Sequence, residues 1–590
     1  MTDRFAKIIG YLRQYRRLIL WGLFSLVVTD VLSLIPPWLV KDAIDALPSL
    51  DSPHRLLPYL VAIVLVISCQ ALFRFSWRKA LFGVARQTEY HLRNDLFAHL
   101  QKMDRAFFLN RPIGDLMSRC TNDLVAIQEV IAYFGLLIVD TSLTIGTCLI
   151  LMGIIDLPLT LAALIPLPFL SVCFLYFGGQ VRKKAAMLQA ELAHLTQVVQ
   201  ETLTGIRITH AYNLERVRSN LYRDAAKQYI RRNIELANLR GIFYSLMSLL
   251  TGIAAVLVLW MGGTRVVTGS LTLGGFVAFN TYLVMLSWPM MSLGFMVNLL
   301  QRGRASLERL EEILHARPGI DEPDREFVER SVSARTLGMG FHDVGFQYPG
   351  SARWVLRGIS LAVQEGSRIG ITGRVGSGKT TLLDLIPRIH DPTAGHITLN
   401  GQDLREIPFT ELRGRVAWVA QEPFLFSEPI SSNLAFGLPE ASPEEVDRAA
   451  RLVRLDKDLD AFPRGWDTVV GERGVMLSGG QRQRVALGRA VMVGPEILLL
   501  DDAFAHLDGE TEVQVMENLL EALPGVTILF TSHRVSTLLR ADRVVVLAEG
   551  RILEEGSPEV LRSAGGYFQR ICHQQDLIRE MEGPGKGERP

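Results

Sequence analysis

The order of apolar and polar positions divides this chain into two halves of different character. Six apolar stretches lie near 18–40, 57–78, 131–154, 158–178, 243–264 and 274–299. Each is long enough to cross a bilayer, which takes roughly 20 residues. Gln70 and Arg74 interrupt the end of the second stretch, and Asp156-Leu157-Pro158 makes a tight hairpin between the third and fourth. Pro289, following Trp288, predicts a kink in the sixth. Two long connections, 79–130 and 179–242, keep apolar residues at helical spacing, as at Leu188, Leu192, Leu195, Val199 and Leu203. The spans are therefore predicted to run on as helices into water and to turn back at short crosswise helices. The predicted turns contain Phe107 and Phe108, and Tyr212 and Asn213, which pair aromatic residues with charge as a docking surface would. Beyond a charged linker, short apolar strands alternate with helices, the pattern of an α/β domain. The predicted division is an α-helical six-span transmembrane domain with long cytoplasmic helix extensions at 1–325 and an α/β domain at 326–590.

Charge sets the orientation. The N-terminus carries Arg4, Lys7, Arg13, Arg16 and Arg17 in an amphipathic stretch, and both long connections are rich in Arg and Lys. The alternate connections have few basic residues. The N-terminus, the long connections and the C-terminal half are thus expected on the cytoplasmic side. A formal net charge of +1 argues against a nucleic-acid partner. The mean hydropathy of +0.21 agrees with partial burial in lipid. Five scattered cysteines without CxxC spacing argue against a disulfide framework or a common zinc site. Asp30 and Asp140 fall inside spans, where acids face the bundle interior or water. They either attract cationic substrates or hydrogen-bond a neighbouring helix.

Chemistry enters with Gly373-Arg374-Val375-Gly376-Ser377-Gly378-Lys379-Thr380, which follows a predicted strand and, with Thr381, opens a predicted helix. That context makes it a phosphate-binding loop. Its glycines let successive N–H groups turn toward phosphate oxygens, and the helix N-terminus adds positive potential. Lys379 would reach the β- and γ-phosphates of a nucleoside triphosphate, and Thr380 would ligate Mg²⁺. Ile497–Asp501 reads as a buried strand ending in an acid, with Asp501 placed to hold the metal and Asp502 to orient an attacking water. Tyr348 could stack on adenine. Ser478-Gly479-Gly480-Gln481 opens another helix and forms a second anion site. One phosphate chain does not need two such sites in one domain.

Leu477-Ser478-Gly479-Gly480-Gln481 resembles the signature of the ATP-binding-cassette (ABC) proteins, and further motifs fall in the family's order. The resemblance implies that Tyr348 stacks on adenine and that Gly373 to Thr381 cradle ATP. It implies that Gln421 meets Mg²⁺ and the membrane domain and that His533 contacts the γ-phosphate. It further matches Asp508 to the acid of an interface loop and Gly471-Glu472-Arg473-Gly474 to an exporter-specific loop. The catalytic set would be Asp502, His533 and Gln421, and the metal set Thr380, Gln421 and Asp501. Six spans followed by one cassette is the layout of type IV half-transporters of the multidrug and lipid-exporter kind. The resemblance thus implies a bacterial inner-membrane protein that moves small amphipathic compounds out of the cytoplasm by alternating access. It also implies a dimer with two cassettes head to tail, each ATP lying between one phosphate loop and the other chain's signature. The turns at Phe107 and Tyr212 match the family's coupling helices.

The residue after Asp501 is normally glutamate in this family, and here it is Asp502. One methylene fewer withdraws the carboxylate by about 1.5 Å, and a misplacement of about 1 Å can cost about a hundredfold in rate. In this the chain resembles the degenerate-site half of heterodimeric bacterial exporters. The expectation is a slow ATP site on this chain and an intact signature that completes the active site of a second half-transporter. A homodimer or lipid flippase with two slow sites, or a regulatory, mainly non-hydrolytic subunit, is the alternative. The interface loop also differs, with His506 where the family usually has alanine.

Overall fold

The structure is a computed structural model in which residues 6–49, 53–323, 338–471 and 474–582 are described. Two compact units emerge: Met1–Gln101 with Gly114–Ala316, and Lys102–Ile113 with Arg317–Pro590. The boundary expected between 325 and 326 falls outside the described residues, as do Glu472 and Arg473.

The first unit is built of helices joined by short turns, with no strand among its described residues. The helices Arg16–Ala46, Leu57–Leu100, Leu124–Ile155 and Glu215–Val267 each contain one expected span, and all four are long and apolar enough to cross a membrane. The stretches 158–178 and 274–299 are instead divided, over Leu157–Leu164 and Pro166–Thr204, and over Leu273–Met285 and Ser287–Leu314. Proline accounts for the second break: without an N–H, Pro289 leaves the Met285 carbonyl without its helical donor. At the hairpin, Asp156 is extended and its carboxylate accepts from the Leu159 N–H at 2.9 Å, starting the next helix. The helix Leu57–Leu100 runs unbroken past Gln70 and Arg74, and both line a cavity rather than breaking the helix.

Within this unit Arg16–Ala46 packs along Leu57–Leu100, and Leu124–Ile155 packs along Ser287–Leu314. Pro166–Thr204 and Glu215–Val267 form a pair largely of their own. A π-helical turn at Arg119–Asp123 brings two charged side chains toward the end of Ser287–Leu314. There buried Asp123 accepts from Ser306 Oγ at 2.9 Å and from Arg309 Nε at 2.8 Å. Arg119 donates to the Arg309 carbonyl at 2.7 Å and to Glu312 at 2.8 Å.

The second unit contains ten strands among its described residues: β1 (Met339–Gln347), β2 (Trp354–Val363), β3 (Arg368–Gly373), β4 (Ala394–Leu399), β5 (Gln402–Asp403), β6 (Val416–Val419), β7 (Ile497–Leu500), β8 (Thr527–Thr531), β9 (Arg543–Ala548) and β10 (Arg551–Gly556). One sheet has the order β10-β9-β3-β8-β7-β6, parallel except for the edge pair β10-β9. The other, antiparallel, has the order β2-β1-β4-β5. Strand β7 is buried on both faces, as its unbroken apolar run requires. Ile497 and Leu499 join the core shared with the antiparallel sheet, while Leu498 and Leu500 join the core under the helices Gly479–Met492 and Gly509–Ala522. Each such buried leucine contributes about 1.5–3 kcal/mol, so the acid that ends this strand is rigidly presented.

Lys102–Ile113 belongs to this second unit, although the chain on either side belongs to the first. It contains the short helix Arg105–Leu109, capped by Asp104, which accepts from the Phe107 N–H at 2.9 Å. Phe107 is buried, with the Arg111 guanidinium 4.3 Å over its ring, while Phe108 is exposed. The other predicted turn follows the helix Ile206–Ala211 in the first unit. There Asn213 takes a left-handed φ of 52° and Tyr212 is 74% exposed.

Candidate functional site

Strand β3 ends at the phosphate loop, and the helix Lys379–Leu385 leaves it between the two sheets. Two glycines are required here. Gly373 has a φ of 150°, and a Cβ on it would lie 2.1 Å from the Leu547 carbonyl oxygen. Gly378, at a φ of 101°, would press a Cβ to 2.7 Å from Leu356. Arg374, Val375 and Gly376 form the exposed crest of the loop, and the Ser377 N–H closes its turn on the Arg374 carbonyl at 3.1 Å. The Lys379 ammonium donates to the carbonyls of Gly373 at 3.0 Å and Arg374 at 3.1 Å. Burial lowers its pKa, against the upward pull of Asp501 and Asp502.

These groups open onto a cavity of about 690 Å³ lined by Tyr348, Val375, Gly376, Gly378, Lys379, Thr380, Thr381, Gln421, Asp501, Asp502 and His533, among others. Eleven residues singled out along the sequence thus meet in one place. The Tyr348 ring edges against Phe346, and its hydroxyl is 3.0 Å from Thr381 Oγ1. Asp501 directly follows β7, buried, and accepts from Thr531 Oγ1 at 2.9 Å. The same hydroxyl oxygen receives the Asp502 N–H at 2.7 Å. Asp502 is half-buried and sits at a φ of 44°, a left-handed conformation that aspartate tolerates better than most residues. Burial raises its pKa, and His533 opposes that shift.

Ser478, Gly479, Gly480 and Gln481 do not line this cavity. They form the N-terminus of Gly479–Met492, locked by a reciprocal cap in which Ser478 Oγ accepts from the Gln481 N–H and Gln481 Oε1 accepts from the Ser478 N–H. His506 lies against this end: a Cβ on Gly479 would be 3.1 Å from the His506 ring. Asp508 caps the helix Gly509–Ala522 through the Thr511 N–H at 2.9 Å.

Three supporting residues carry no motif. Thr531 ties Asp501 to Asp502. Gln483, fully buried, accepts the His506 N–H at 2.9 Å and donates to the Asp502 carbonyl at 3.4 Å. Gln575, on the helix Tyr567–Glu582, donates to the His533 carbonyl at 2.7 Å and accepts from the Val535 N–H at 2.9 Å. Of the three, only Thr531 has a signal in the sequence, the apolar run Ile528-Leu529-Phe530 that precedes it.

In the first unit Asp30 and Asp140 line one cavity of about 990 Å³, together with Gln70, Arg74, Trp77 and Ser292.

Residues 18–290 match the ABC transporter transmembrane region and residues 356–505 match the ABC transporter domain. The multidrug resistance-like ATP-binding protein MdlA of Escherichia coli K12 is 34% identical over 98% of both chains. This chain belongs to the ABC transporter family. A second relative of the ABC protein, the ATP-dependent lipid A-core flippase of Syntrophus aciditrophicus, is 31% identical over 99% of this chain and 96% of its own. A solved bacterial Atm1-family ABC exporter with ATP bound matches with a TM-score of 0.75 at 25% identity, covering 97% of this chain and 99% of that one. The ABC protein is thus a multi-pass half-transporter of the bacterial inner membrane with a cytoplasmic, ATP-binding ABC domain. It couples ATP hydrolysis to export, and exporters of this kind act as dimers in the bilayer.

Proposed function

We propose that this ABC protein is one half of an exporter for amphipathic, drug-like compounds and that its own ATP site holds nucleotide longer than it turns it over. The observation that carries this is Asp502 where a glutamate is usual. Its backbone is held by Thr531 and Gln483, so little slack remains to bring the shorter carboxylate forward. The capped signature at Ser478 to Gln481 lies outside the chain's own cavity and suits delivery to a partner's site. The name of the MdlA relative favours drug-like cargo.

Mg²⁺ would be held by Thr380, Asp501 and Gln421, hard oxygen donors that line one cavity. When bound it would offset phosphate charge. Lys379 would hold the β- and γ-phosphates, His533 would contact the γ-phosphate, and Tyr348 would stack on the base. Asp30 and Asp140 are the candidate contacts for cationic cargo.

The decisive experiment purifies the chain with its partner half-transporter and compares wild type with Asp502→Glu. Turnover of the pair rises severalfold, because a second site becomes competent; unchanged turnover sinks the slow-site reading. A heterodimer is expected in that preparation. The second reading is a homodimeric exporter or lipid flippase with two slow sites; the name of the flippase relative favours lipid cargo, and a single-chain preparation of dimer mass would reveal a homodimer. Asp30→Asn and Asp140→Asn lower transport of a cationic dye; equal transport by both would remove them from the pocket.

A further inference from the structure

One ion pair fastens the first cytoplasmic connection to the helix that leaves the phosphate loop. Asp384 lies on Lys379–Leu385, and its side chain is fully buried. Arg105 Nη1 donates to Asp384 Oδ2 at 3.0 Å, while Asp384 Oδ1 is buried without a partner. Arg105 opens the helix Arg105–Leu109 directly after its cap, Asp104. It also lines a cavity shared with Thr380, Gln421 and Asp501. Beside this corner, buried His390 feels the charges of Arg105 and Asp104, and its ring meets Tyr348 edge-on at 5.5 Å. Residues 104 and 105 therefore adjoin groups behind both the phosphate end and the base end of the ATP cavity.

A buried carboxylate whose paired cation is removed is left uncompensated, which is strongly unfavourable. Burial already pushes Asp384 up to about 6, with Arg105 opposing. An apolar contact such as that of Phe107 can slide; this pair cannot separate without stranding a charge. Helix Lys379–Leu385 and helix Arg105–Leu109 should then move as one piece. The chain on either side of Lys102–Ile113 continues into Leu57–Leu100 and toward Leu124–Ile155.

We propose that Arg105 is a positioning residue which, through its ion pair with Asp384, transmits nucleotide occupancy of this chain's own site to the helices Leu57–Leu100 and Leu124–Ile155. This goes beyond docking of the connection and rests on the reading that the site holds ATP. A site that holds ATP can then act on the membrane helices through occupancy alone.

The test uses the full dimer in lipid nanodiscs and measures hydrogen–deuterium exchange with and without ATP and Mg²⁺. In wild type, ATP slows exchange by at least about tenfold both at 373–385 and at 95–124. Arg105→Ala lowers the thermal midpoint, because Asp384 is left alone. Arg105→Ala with Asp384→Asn removes the stranded charge and recovers the midpoint. In that double variant ATP still protects 373–385, but its protection of 95–124 falls below about twofold. Full protection of both segments in the double variant overturns the proposal, since the pair is then dispensable. Loss of both also overturns it, by making the pair a requirement for binding. A wild-type protein without ATP protection at 373–385 fails at the ATP-holding reading itself, and the proposal goes with it.

Discussion

Asp501 and Asp502 share one hydroxyl, that of Thr531, and much of the site's geometry hangs on it. Thr531→Val keeps the volume but leaves a buried carboxylate and a backbone N–H short of a partner. The expected cost is about 1.5–3 kcal/mol in chemical denaturation of the dimer, with lower ATP turnover. Asp384 makes a prediction about pH. Its folded value, about 6, lies above the unfolded 3.8, so the native state binds the extra proton between them. Wild type therefore loses stability as pH rises through that window, and Asp384→Asn does not. Thermal midpoints of the two across the window check this; parallel curves would refute it. At this scale the phosphate loop and Ser478 were legible, because phosphate chemistry demands particular residues at short, contiguous spacing; Asp501 was legible from the apolar run before it, and Gln421 only through the family resemblance. Thr531, Gln483, Gln575 and Arg105 were not. Each acts through a partner remote in the chain, and nothing beside it marks the pairing.

Between elements, the third and sixth membrane stretches are joined at their cytoplasmic ends by charge rather than by grease alone. Burial pushes the Asp123 carboxyl up, but hydrogen bonds from Arg309 and Ser306 outweigh it and hold the group below its usual range. That stabilisation is present above the ordinary carboxylate range and is lost as pH falls through the lowered value. Asp123→Ala removes the acceptor of Ser306 and of half-exposed Arg309 and is expected to cost about 1–3 kcal/mol, read as a lower midpoint in detergent; a shift within error would show the network to be ornamental. The network was invisible in the sequence because a π-helical turn changes which residues share a face. The break ahead of Pro289 followed from the missing N–H, whereas the one at Ile165 was not anticipated even though Pro166 follows it.

For the molecule as a whole, the pair Pro166–Thr204 and Glu215–Val267 leaves apolar surface uncovered, including exposed Tyr176, Leu249, Val256 and Trp260. Lipid or a second protomer must cover it. The turn beyond this pair presents Tyr212 almost bare, so Tyr212→Ala is expected to leave the thermal midpoint unchanged. Substrate stimulation of ATP turnover falls in the same variant if the turn couples to a partner; retained stimulation would free Tyr212 from that role. Hydropathy made the membrane half and the α/β half legible. It did not reveal that Lys102–Ile113 groups with the second unit: the aromatic residues and charge around Phe107 and Phe108 suggest docking but carry no label for the surface they join.

The clamp of Gln575 on the chain around His533 has a pharmacological consequence. The helix that carries it lies near the end of the chain and is anchored by buried Phe568 and Cys572, yet it fixes a loop lining the ATP cavity. A compound that pried this helix loose would slow the pump without resembling a nucleotide or competing with one. Gln575→Ala imitates such a compound: kcat falls while the KM for ATP holds, the kinetic mark of a noncompetitive inhibitor.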